Sequence, residues 1–247
     1  MTDENADGCI ACGWTSKQQR QCCYSSHVKL IYGAHNRGVW SIGSDLILKE
    51  RPDEGPKLEV KALSQLLANK DIPVPKVLRD WVDDNHRYFI LEERVDGQTL
   101  EETWPSLSTS QKALITDQVA EVRNQLKNIT SPSIQSNLKM RFPSCEPYVL
   151  THCDLNVGSI MVKDGKLVGS LDWEYAAYYP IWYEYVSASS GLTEMDAEWK
   201  THLRERLDAY GDAYGDAKEF WTYLCHLRHY PNIDGEGREI LEKLPSD

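Results

Sequence analysis

The sequence feature that most restricts the fold of this chain is a β-hairpin with an aspartate at each end. Two apolar segments, Ile160–Lys163 and Lys166–Leu171, are joined by Asp164-Gly165. Asp-Gly supplies the positive φ angles that a type I′ hairpin turn requires. His152-Cys153-Asp154 precedes the hairpin and Leu171-Asp172-Trp173 follows it. Because the second strand of a hairpin returns to the edge where the first began, Asp154 and Asp172 are predicted to face a single cleft.

Two carboxylates in one cleft suit phosphoryl transfer. One carboxylate can accept a hydrogen bond from the attacking hydroxyl and orient it, while the other holds Mg²⁺ against the phosphates. The alternative is that Asp154 and Asp172 only cap turns, which is a common role of Asp. The pair by itself does not decide between these interpretations.

Upstream of the hairpin, alternating apolar residues and turn signals predict a small antiparallel sheet. The predicted strands are Val28–Tyr32, Val39–Ile42, Asp45–Lys49, Val77–Val82 and Tyr88–Leu91. A helix from Pro56 to about Asn69 is predicted between the third and fourth strands, because Pro is favoured in a first helical turn and leucines follow at helical spacing.

Lys49 closes the third predicted strand, and Glu59 lies near the start of the helix that follows. A lysine and a glutamate in these positions form an ion pair that holds an ammonium group over the α- and β-phosphates of a nucleotide. The alternative is an ordinary surface ion pair, worth well under ~1 kcal/mol.

The second half of the chain is predicted to be mainly helical. Glu92–Gly97 loses the strand pattern and is predicted to connect two lobes. Ser108 and Gln111 have capping-box spacing at the start of an amphipathic helix that extends to Ile129. A short strand, Tyr148–Thr151, leads into the first aspartate loop, and the chain after Tyr183 has mostly helical character. An α+β protein is therefore expected, with its small antiparallel sheet first.

In this order, the features resemble the aminoglycoside phosphotransferase and choline kinase-like family, most closely its fungal members. The resemblance extends over about residues 32–187 and is carried by Ile72–Val77, Val95–Leu100, Thr151–Asn156, Leu171–Ala176, Tyr179-Pro180 and Glu184-Tyr185. It implies a two-lobed protein kinase-like fold. The implied organisation is a polar arm at residues 1–27, an N-lobe with the nucleotide-binding sheet and helix at 28–93, and a C-lobe with the catalytic loop at 94–247.

The resemblance also implies ATP and Mg²⁺ as cofactors and the hydroxyl of a small molecule as phosphoryl acceptor. The implied roles are phosphate binding by Lys49 with Glu59 as its partner, adenine binding by the backbone around Glu92 and Arg94, catalysis by Asp154, and metal binding by Asp172 and Ser159. His152 belongs to the same catalytic loop. Two roles are open for its imidazole: hydrogen bonds that brace the loop, or direct acid–base catalysis.

Two positions of the catalytic loop depart from the family pattern. Ser159 stands where the family has a metal-binding Asn, and Cys153 stands where it has Gly; the segment before His152 is also shorter than in the family. These departures keep two other functions open. One is an ATP-independent enzyme that uses the same cleft for acid–base chemistry on a metabolite, such as a cyclisation or an elimination. The other is a non-catalytic binding module.

Aromatic and acidic residues after the second aspartate also allow two interpretations. The aromatic residues are Trp173, Tyr175, Tyr178, Tyr179, Trp182, Tyr183 and Tyr185. They pack the core, or they form a cage for a cationic substrate. Glu174 and Glu184 bind the amine of such a substrate, or they brace the catalytic loop.

Charge and hydropathy narrow the range of partners. The chain has 27 Lys and Arg against 38 Asp and Glu, a formal net charge of −11. Such a surface repels nucleic-acid backbones and anionic lipids, so neither is an expected partner. The acidic N-terminus lacks the features of a secretory signal, and no apolar segment is long enough to span a bilayer. A cytoplasmic protein is therefore expected.

Seven cysteines in a chain without an export signal favour reduced thiols over a disulfide framework. Four of them, Cys9, Cys12, Cys22 and Cys23, lie in the N-terminal arm. A Cys-x-x-Cys followed by two further thiols is able to bind zinc, but adjacent cysteines are poorly spaced as ligands of one tetrahedral ion. A polar arm without metal is the favoured interpretation.

Overall fold

The computed structural model describes residues 27–34, 36–68, 72–132 and 146–211, together with residues 214, 218–219, 222–223, 238–239 and 242. The four cysteines of the N-terminal arm, and hence the zinc hypothesis, lie outside the described residues. Among the helices of the described part, none is long and apolar enough to cross a membrane.

The first part of the described chain is a five-stranded antiparallel sheet with one helix. Its elements are β1 (Val28–Ala34), β2 (Arg37–Ile42), β3 (Leu46–Pro52), α1 (Leu58–Leu66), β4 (Val77–Val82) and β5 (Arg87–Glu93). The strands are ordered β1-β2-β3-β5-β4, so α1 is the connection that lets β5 lie between β3 and β4. All five predicted strands and the predicted helix are present.

Four of the five strands extend beyond their predicted ends: β1 to Ala34, β2 back to Arg37, β3 to Pro52 and β5 to Glu93. The turn between β1 and β2 is short, because Ala34 pairs directly with Arg37. β5 continues to Glu93, because Glu92 and Glu93 pair with Ile47 and Leu46 of β3. The prediction that the connector begins at Glu92 is therefore wrong: backbone pairing to β3 outweighs the low strand preference of two glutamates.

The second part combines helices with two small sheets. Its elements are β6 (Gln98–Thr99), α2 (Leu100–Thr103), a 3-10 helix (Trp104–Ser106), α3 (Thr109–Leu126), β7 (Thr130–Ser131), β8 (Tyr148–Thr151), β9 (Ile160–Lys163), β10 (Lys166–Ser170), a second 3-10 helix (Trp173–Tyr175), β11 (Ala177–Pro180), α4 (Tyr183–Ser187) and α5 (Glu194–Arg204). The sheets are ordered β10-β9-β6 and β11-β8-β7. The predicted hairpin is β9–β10, with its turn at Asp164 and Gly165, both at positive φ.

The longest helix, α3, begins where its sequence predicts. The Ser108 side chain accepts a hydrogen bond from the backbone N–H of Gln111, and the Gln111 side chain accepts one from the backbone N–H of Ser108. This capping box satisfies two amide groups that the first helical turn leaves without partners. The apolar face of α3 then packs into the core through Ile115, Val119, Val122 and Leu126.

A shared core joins the sheet to the second part of the chain. Leu63 and Leu66 of α1 lie in one buried cluster with Leu126 of α3, Leu150 of β8 and Trp173. Trp173 is fully buried and directly follows Asp172. The helix that carries Glu59 and the segment that carries Asp172 are therefore fixed to each other by apolar packing. The result is the expected α+β architecture, a small antiparallel sheet beside a mainly helical part.

Candidate active site

His152 is the buried centre of the first aspartate loop. Its Nε2 lies 2.8 Å from the Leu171 carbonyl oxygen, and its Nδ1 accepts a hydrogen bond of 3.2 Å from the backbone N–H of Asp154. The ring also lies against Trp173, with 4.4 Å between centroids. Because Nδ1 accepts, the neutral tautomer with hydrogen on Nε2 satisfies both bonds. His152 thus ties the Asp154 loop to the residue before Asp172.

Asp154 is half-buried and is oriented by Asn156. The Asn156 amide Nδ2 donates to Asp154 Oδ1 at 3.1 Å. The amide oxygen of Asn156 accepts from the backbone N–H groups of Gly158 at 2.8 Å and Ser159 at 3.0 Å. Within the described part of the chain, no other group is recorded donating to the Asp154 carboxylate, so Oδ2 is left to accept a hydrogen bond from a bound hydroxyl.

The Glu184 side chain binds the backbone of the same loop. Its carboxylate is buried and accepts from the N–H groups of His152 at 3.1 Å and Cys153 at 3.4 Å. Cys153 has a φ of 70°, in the left-handed region that favours glycine. Two amides that point to one carboxylate help to hold this uncommon backbone conformation. Of the two open roles for Glu184, the contacts support bracing of the loop.

Asp172 follows the hairpin and has a left-handed backbone, with φ 63° and ψ 53°. The backbone N–H of Leu171 donates to the Ser159 carbonyl at 2.8 Å, which fixes the end of β10 to the Asp154 loop. Although solvent reaches the Asp172 side chain, loss of water from the carboxylate raises its pKa. Lys49 opposes this rise, while the charges of Glu59, Glu174 and Asp154 add to it. Asp154 and Asp172 are therefore close enough for their charges to interact.

The predicted Lys49–Glu59 pair is present and buried. Lys49 Nζ lies 2.5 Å from Glu59 Oε1 and 3.5 Å from Glu92 Oε1, and Glu59 is only 1% exposed. Burial by itself would lower the pKa of Lys49, but the charges of Glu59, Glu92 and Asp172 outweigh it and raise the pKa. Lys49 is therefore a permanent cation that faces Asp172. A buried pair of this kind has a structural and electrostatic role that an exposed pair lacks.

The Glu92 and Arg94 side chains differ in their burial and in their hydrogen-bond partners. The Glu92 side chain is buried, and its Oε2 has no hydrogen-bond partner among the described residues. Burial, partly offset by Lys49, raises the pKa of Glu92 to about 7. Arg94 is exposed and donates from Nη2 to Ser41 Oγ at 2.5 Å, while its backbone N–H donates to the Asp45 carbonyl at 2.7 Å. Of these two side chains, only that of Glu92 is buried.

Replacing Glu92 with Gln is expected to change how stability depends on pH. The pKa of this carboxyl is about 7 in the folded protein against an ordinary 4.5, so its protonated form favours folding below pH 4.5. That contribution is lost as the pH rises through 7. Between pH 5 and 8 the free energy of unfolding of the native protein should fall by about 2 kcal/mol relative to Glu92→Gln, at ~1.4 kcal/mol per pKa unit.

Urea denaturation of both proteins at the two pH values measures this difference. Glu93→Gln is the matched control, because Glu93 is the exposed neighbour on the same strand and pairs with Lys76. Its pH profile should parallel that of the native protein. Parallel profiles for Glu92→Gln as well would contradict a raised pKa at Glu92.

Ser159 is buried, and its hydroxyl lies 3.2 Å from Asn156 Oδ1, to which it donates. Because the hydroxyl donates its hydrogen, its oxygen lone pairs stay available to a metal, but Ser159 is only 2% exposed. In the described residues, no group of three or more His, Cys, Asp or Glu side chains is arranged to hold a metal ion. Mg²⁺ in phosphoryl-transfer sites needs only one or two carboxylates, because substrate phosphates and water complete its shell. The accessible Asp172 carboxylate fits that requirement.

Glu174 has partners that the sequence did not predict. It accepts hydrogen bonds from Arg37 Nη1 at 2.6 and 2.8 Å and from Arg51 Nη1 at 2.5 Å. Burial would raise the pKa of Glu174, but the two guanidinium groups outweigh it and lower the pKa. Its carboxylate is therefore already neutralised by arginines and is not free to bind a substrate amine. No local signal links positions 37 and 174, which are 137 residues apart.

A Lys–Glu pair that joins an antiparallel sheet to its helix, beside a mainly helical part with two loop aspartates, is typical of a protein kinase-like fold. A family model described as the phosphotransferase enzyme family, APH, matches residues 133–222. No curated protein sequence matches the chain.

Solved structures agree with this family match. The chain is similar to a thermostable mutant of aminoglycoside phosphotransferase APH(4)-Ia in its apo form, with a TM-score of 0.63 and 12% identity, covering 88% of this chain and 92% of that one. It is also similar to the GDP complex of a mutant aminoglycoside 2'-phosphotransferase-IIIa, with a TM-score of 0.58, 17% identity and coverage of 91% and 93%.

A third similar structure is the streptomycin–ATP–APH(2")-IIa ternary complex, with a TM-score of 0.58, 12% identity and coverage of 94% and 93%. At these identities the likeness establishes the fold. The resemblance to the aminoglycoside phosphotransferase family and the kinase-like fold that it implied are confirmed.

Proposed function

We propose that this protein is a phosphotransferase that moves the γ-phosphoryl group of ATP, as its magnesium complex, to a hydroxyl of a small molecule. The observation that carries the proposal is the Lys49–Glu59 pair, 2.5 Å apart, together with the charge interactions of Asp172 with both Lys49 and Asp154. A permanent cation opposite two carboxylates is the arrangement that phosphoryl transfer needs. A cleft that bound no phosphate would have little use for a buried ammonium group.

The proposed roles follow from the positions of the side chains. Asp154 Oδ2 accepts a hydrogen bond from the acceptor hydroxyl and orients its oxygen toward the γ-phosphorus, while Asn156 holds the other carboxylate oxygen. Lys49 binds the α- and β-phosphates, and Glu59 fixes the lysine. The backbone between Glu92 and Arg94 lines the position of the base. His152 acts as a positioning residue, because both of its ring nitrogens are used within the loop.

Asp172 is the residue that would hold Mg²⁺, together with the phosphates of the nucleotide. Bound Mg²⁺ would supply positive charge to the transferring phosphoryl group. The raised pKa of Asp172 reflects crowding by other carboxylates, and a divalent cation would relieve this repulsion. Ser159 would join the metal only through the lone pairs of its hydroxyl oxygen, which stay free while the hydroxyl donates to Asn156.

The cleft lies where the first sheet meets the rest of the chain, and this supports the division into an N-lobe at 28–93 and a C-lobe at 94–247. β5 ends at Glu93, and the polar segment that follows leads into β6. A small-molecule acceptor is proposed because similar structures include complexes with streptomycin, hygromycin B and gentamicin. A cytoplasmic location and the absence of nucleic-acid and membrane partners stay predictions from composition.

The geometry weighs against an ATP-independent acid–base enzyme. Such chemistry would use His152 as a proton carrier, but this side chain is fully buried and both nitrogens have partners 2.8 and 3.2 Å away. A non-catalytic binding module would have no need for the Asn156 brace that orients Asp154.

Calorimetric titration of the purified protein with ATP, with and without Mg²⁺, tests the proposal. ATP should bind in the presence of Mg²⁺, and its affinity should fall by at least about tenfold when Mg²⁺ is removed or when Asp172 is replaced by Asn, since a charge-assisted contact of about 1.4 kcal/mol or more is lost. Binding of neither ATP nor GTP at millimolar concentration would refute the phosphotransferase proposal.

A further inference from the structure

Two arginines that no sequence motif singled out form a bridge with Glu174 between the first sheet and the segment after Asp172. We call Arg37, Arg51 and Glu174 the arginine–glutamate bridge. Glu174 Oε2 lies 2.5 Å from Arg51 Nη1, and Glu174 Oε1 lies 2.6 Å from Arg37 Nη1. Arg37 lies at the start of β2 beside the β1–β2 turn, and Glu174 lies two residues after Asp172. The bridge therefore joins the hairpin at the edge of the sheet to the proposed metal-binding segment.

The bridge continues directly into the phosphate-binding pair. Lys49 and Arg51 are two residues apart on β3, so their side chains lie on the same side of the sheet. Both contact Glu59: Lys49 Nζ is 2.5 Å from Oε1 and Arg51 Nη1 is 3.3 Å from Oε2. Arg51 is thus separated from the proposed phosphate-binding lysine by a single carboxyl group. Any anion that reaches Lys49 is within reach of the Arg51 guanidinium.

Arg37 and Arg51 are neighbours on adjacent strands. Gly38 pairs with Glu50 between β2 and β3, so Arg37 and Arg51 are the next residues along the two strands. Like charges in neighbouring positions of a sheet repel each other unless an anion lies between them. Glu174 provides that anion here. Each guanidinium group has five N–H donors, and one shared carboxylate accepts from only a few of them. The remaining donors are able to bind the oxygens of a phosphate group.

We propose that Arg37 and Arg51 are ligands of the terminal phosphates of the nucleoside triphosphate, and that Glu174 holds them in place until the nucleotide binds. This inference rests on the proposed function, since it assigns two further phosphate ligands to the same cleft. In the nucleotide-free protein the Glu174 carboxylate occupies the position of an anion. On binding, phosphate oxygens replace it at one or both arginines, and Glu174 moves toward solvent.

A purely structural bridge makes the opposite prediction for Glu174. If the three residues only held the hairpin in place, neutralising Glu174 would release Arg37 and Arg51 and weaken nucleotide binding. If Glu174 competes with phosphate, neutralising it frees two cations for the ligand and strengthens binding. The sign of the change therefore separates the two roles.

The experiment is calorimetric titration of the full chain with Mg²⁺ and one of three probes: ATP, adenosine or inorganic tripolyphosphate. The variants are Arg51→Gln, Arg51→Lys, Arg37→Gln and Glu174→Gln. Arg37 is 47% exposed, so its variant is expected to fold even if Arg51→Gln does not. Arg79→Gln is the matched control, because Arg79 is exposed on β4, at the opposite edge of the sheet from β1, and lies over the Trp81 ring.

We expect Arg51→Gln and Arg37→Gln to weaken ATP and tripolyphosphate binding by about tenfold or more and to leave adenosine binding unchanged. Arg51→Lys should recover only part of the loss, because an ammonium group cannot donate two parallel hydrogen bonds to a phosphate. Glu174→Gln should bind ATP and tripolyphosphate more tightly than the native protein. Arg79→Gln should match the native protein for all three probes.

Two results would overturn the inference: weaker ATP binding by Glu174→Gln, or unchanged ATP binding by both Arg→Gln variants. Each leaves the proposed function intact if the native protein binds ATP. Binding of tripolyphosphate that depends on the arginines, without binding of ATP, would support the phosphate ligands and refute the ATP-dependent function. Binding of neither probe by the native protein would refute both.

Discussion

Asp154→Asn is expected to reduce the rate of phosphoryl transfer by about 10²- to 10⁴-fold while the fold is unchanged. Asn has the size of Asp but lacks its negative charge, so it orients the acceptor hydroxyl poorly and cannot accept its proton. The Asn156 amide that donates to Oδ1 at 3.1 Å can still donate to the oxygen of an asparagine side chain. The loss should therefore be confined to the turnover number, measured with the acceptor identified by a substrate screen.

Asp164→Asn is the matched control for this variant. Asp164 lies in the β9–β10 turn with a φ of 52°, a conformation that Asn also adopts readily. The control also removes one negative charge, but from the hairpin turn, at the end of the hairpin away from Asp154 and Asp172. It should keep the native rate. A native rate in Asp154→Asn, at an unchanged melting temperature, would exclude a catalytic role for Asp154.

Lys49→Met should produce the largest loss of stability among single changes in the cleft. It removes the cation that lies 2.5 Å from Glu59 and 3.5 Å from Glu92, and both carboxyl groups are almost completely buried. Removing the partner of a buried charge lowers the free energy of unfolding by about 3 to 5 kcal/mol. Arg51, 3.3 Å from Glu59 Oε2, compensates for part of this, so a loss of about 3 kcal/mol is expected.

Urea denaturation at pH 8 measures this loss, since Glu92 is mostly ionised there. Lys76→Met is the matched control: Lys76 pairs with Glu93 at 2.7 Å, but both side chains are about half exposed. An exposed pair of this kind contributes between about 0 and 1 kcal/mol, so the control should remain close to the native protein. Equal effects of the two substitutions would mean that the Lys49–Glu59 pair is not held in a buried environment.

Much of the local structure follows from short-range signals in the sequence. Asp164-Gly165 determines the hairpin turn, because the two residues tolerate positive φ. Ser108 and Gln111 determine the start of α3, because their side chains satisfy amides within the same turn. The order of Lys49, Glu59, Asp154 and Asp172 along the chain predicts one cleft, and the Lys49–Glu59 contact of this prediction is present. The turn and the helix cap each depend on residues within one element. The predicted cleft depends only on the order in which the elements follow one another along the chain.

The role of each acidic side chain was decided only by the tertiary structure. Glu92 and Glu93 are adjacent and chemically identical, but the alternation of β5 buries the first and exposes the second. Glu174 and Glu184 were equivalent candidates for binding an amine. The fold directs Glu184 to the amides of His152 and Cys153, and Glu174 to two arginines.

The physical reason is the distance along the chain over which these contacts form. A turn or a helix cap depends on the φ angles and hydrogen bonds of a few consecutive residues, which the sequence states directly. The contact between Arg37 and Glu174 exists because α1 and Trp173 share one apolar core, which brings the sheet edge beside the segment after Asp172. Apolar packing is not directional, so the sequence determined which apolar faces are buried, while only the assembled core determined which charged groups meet.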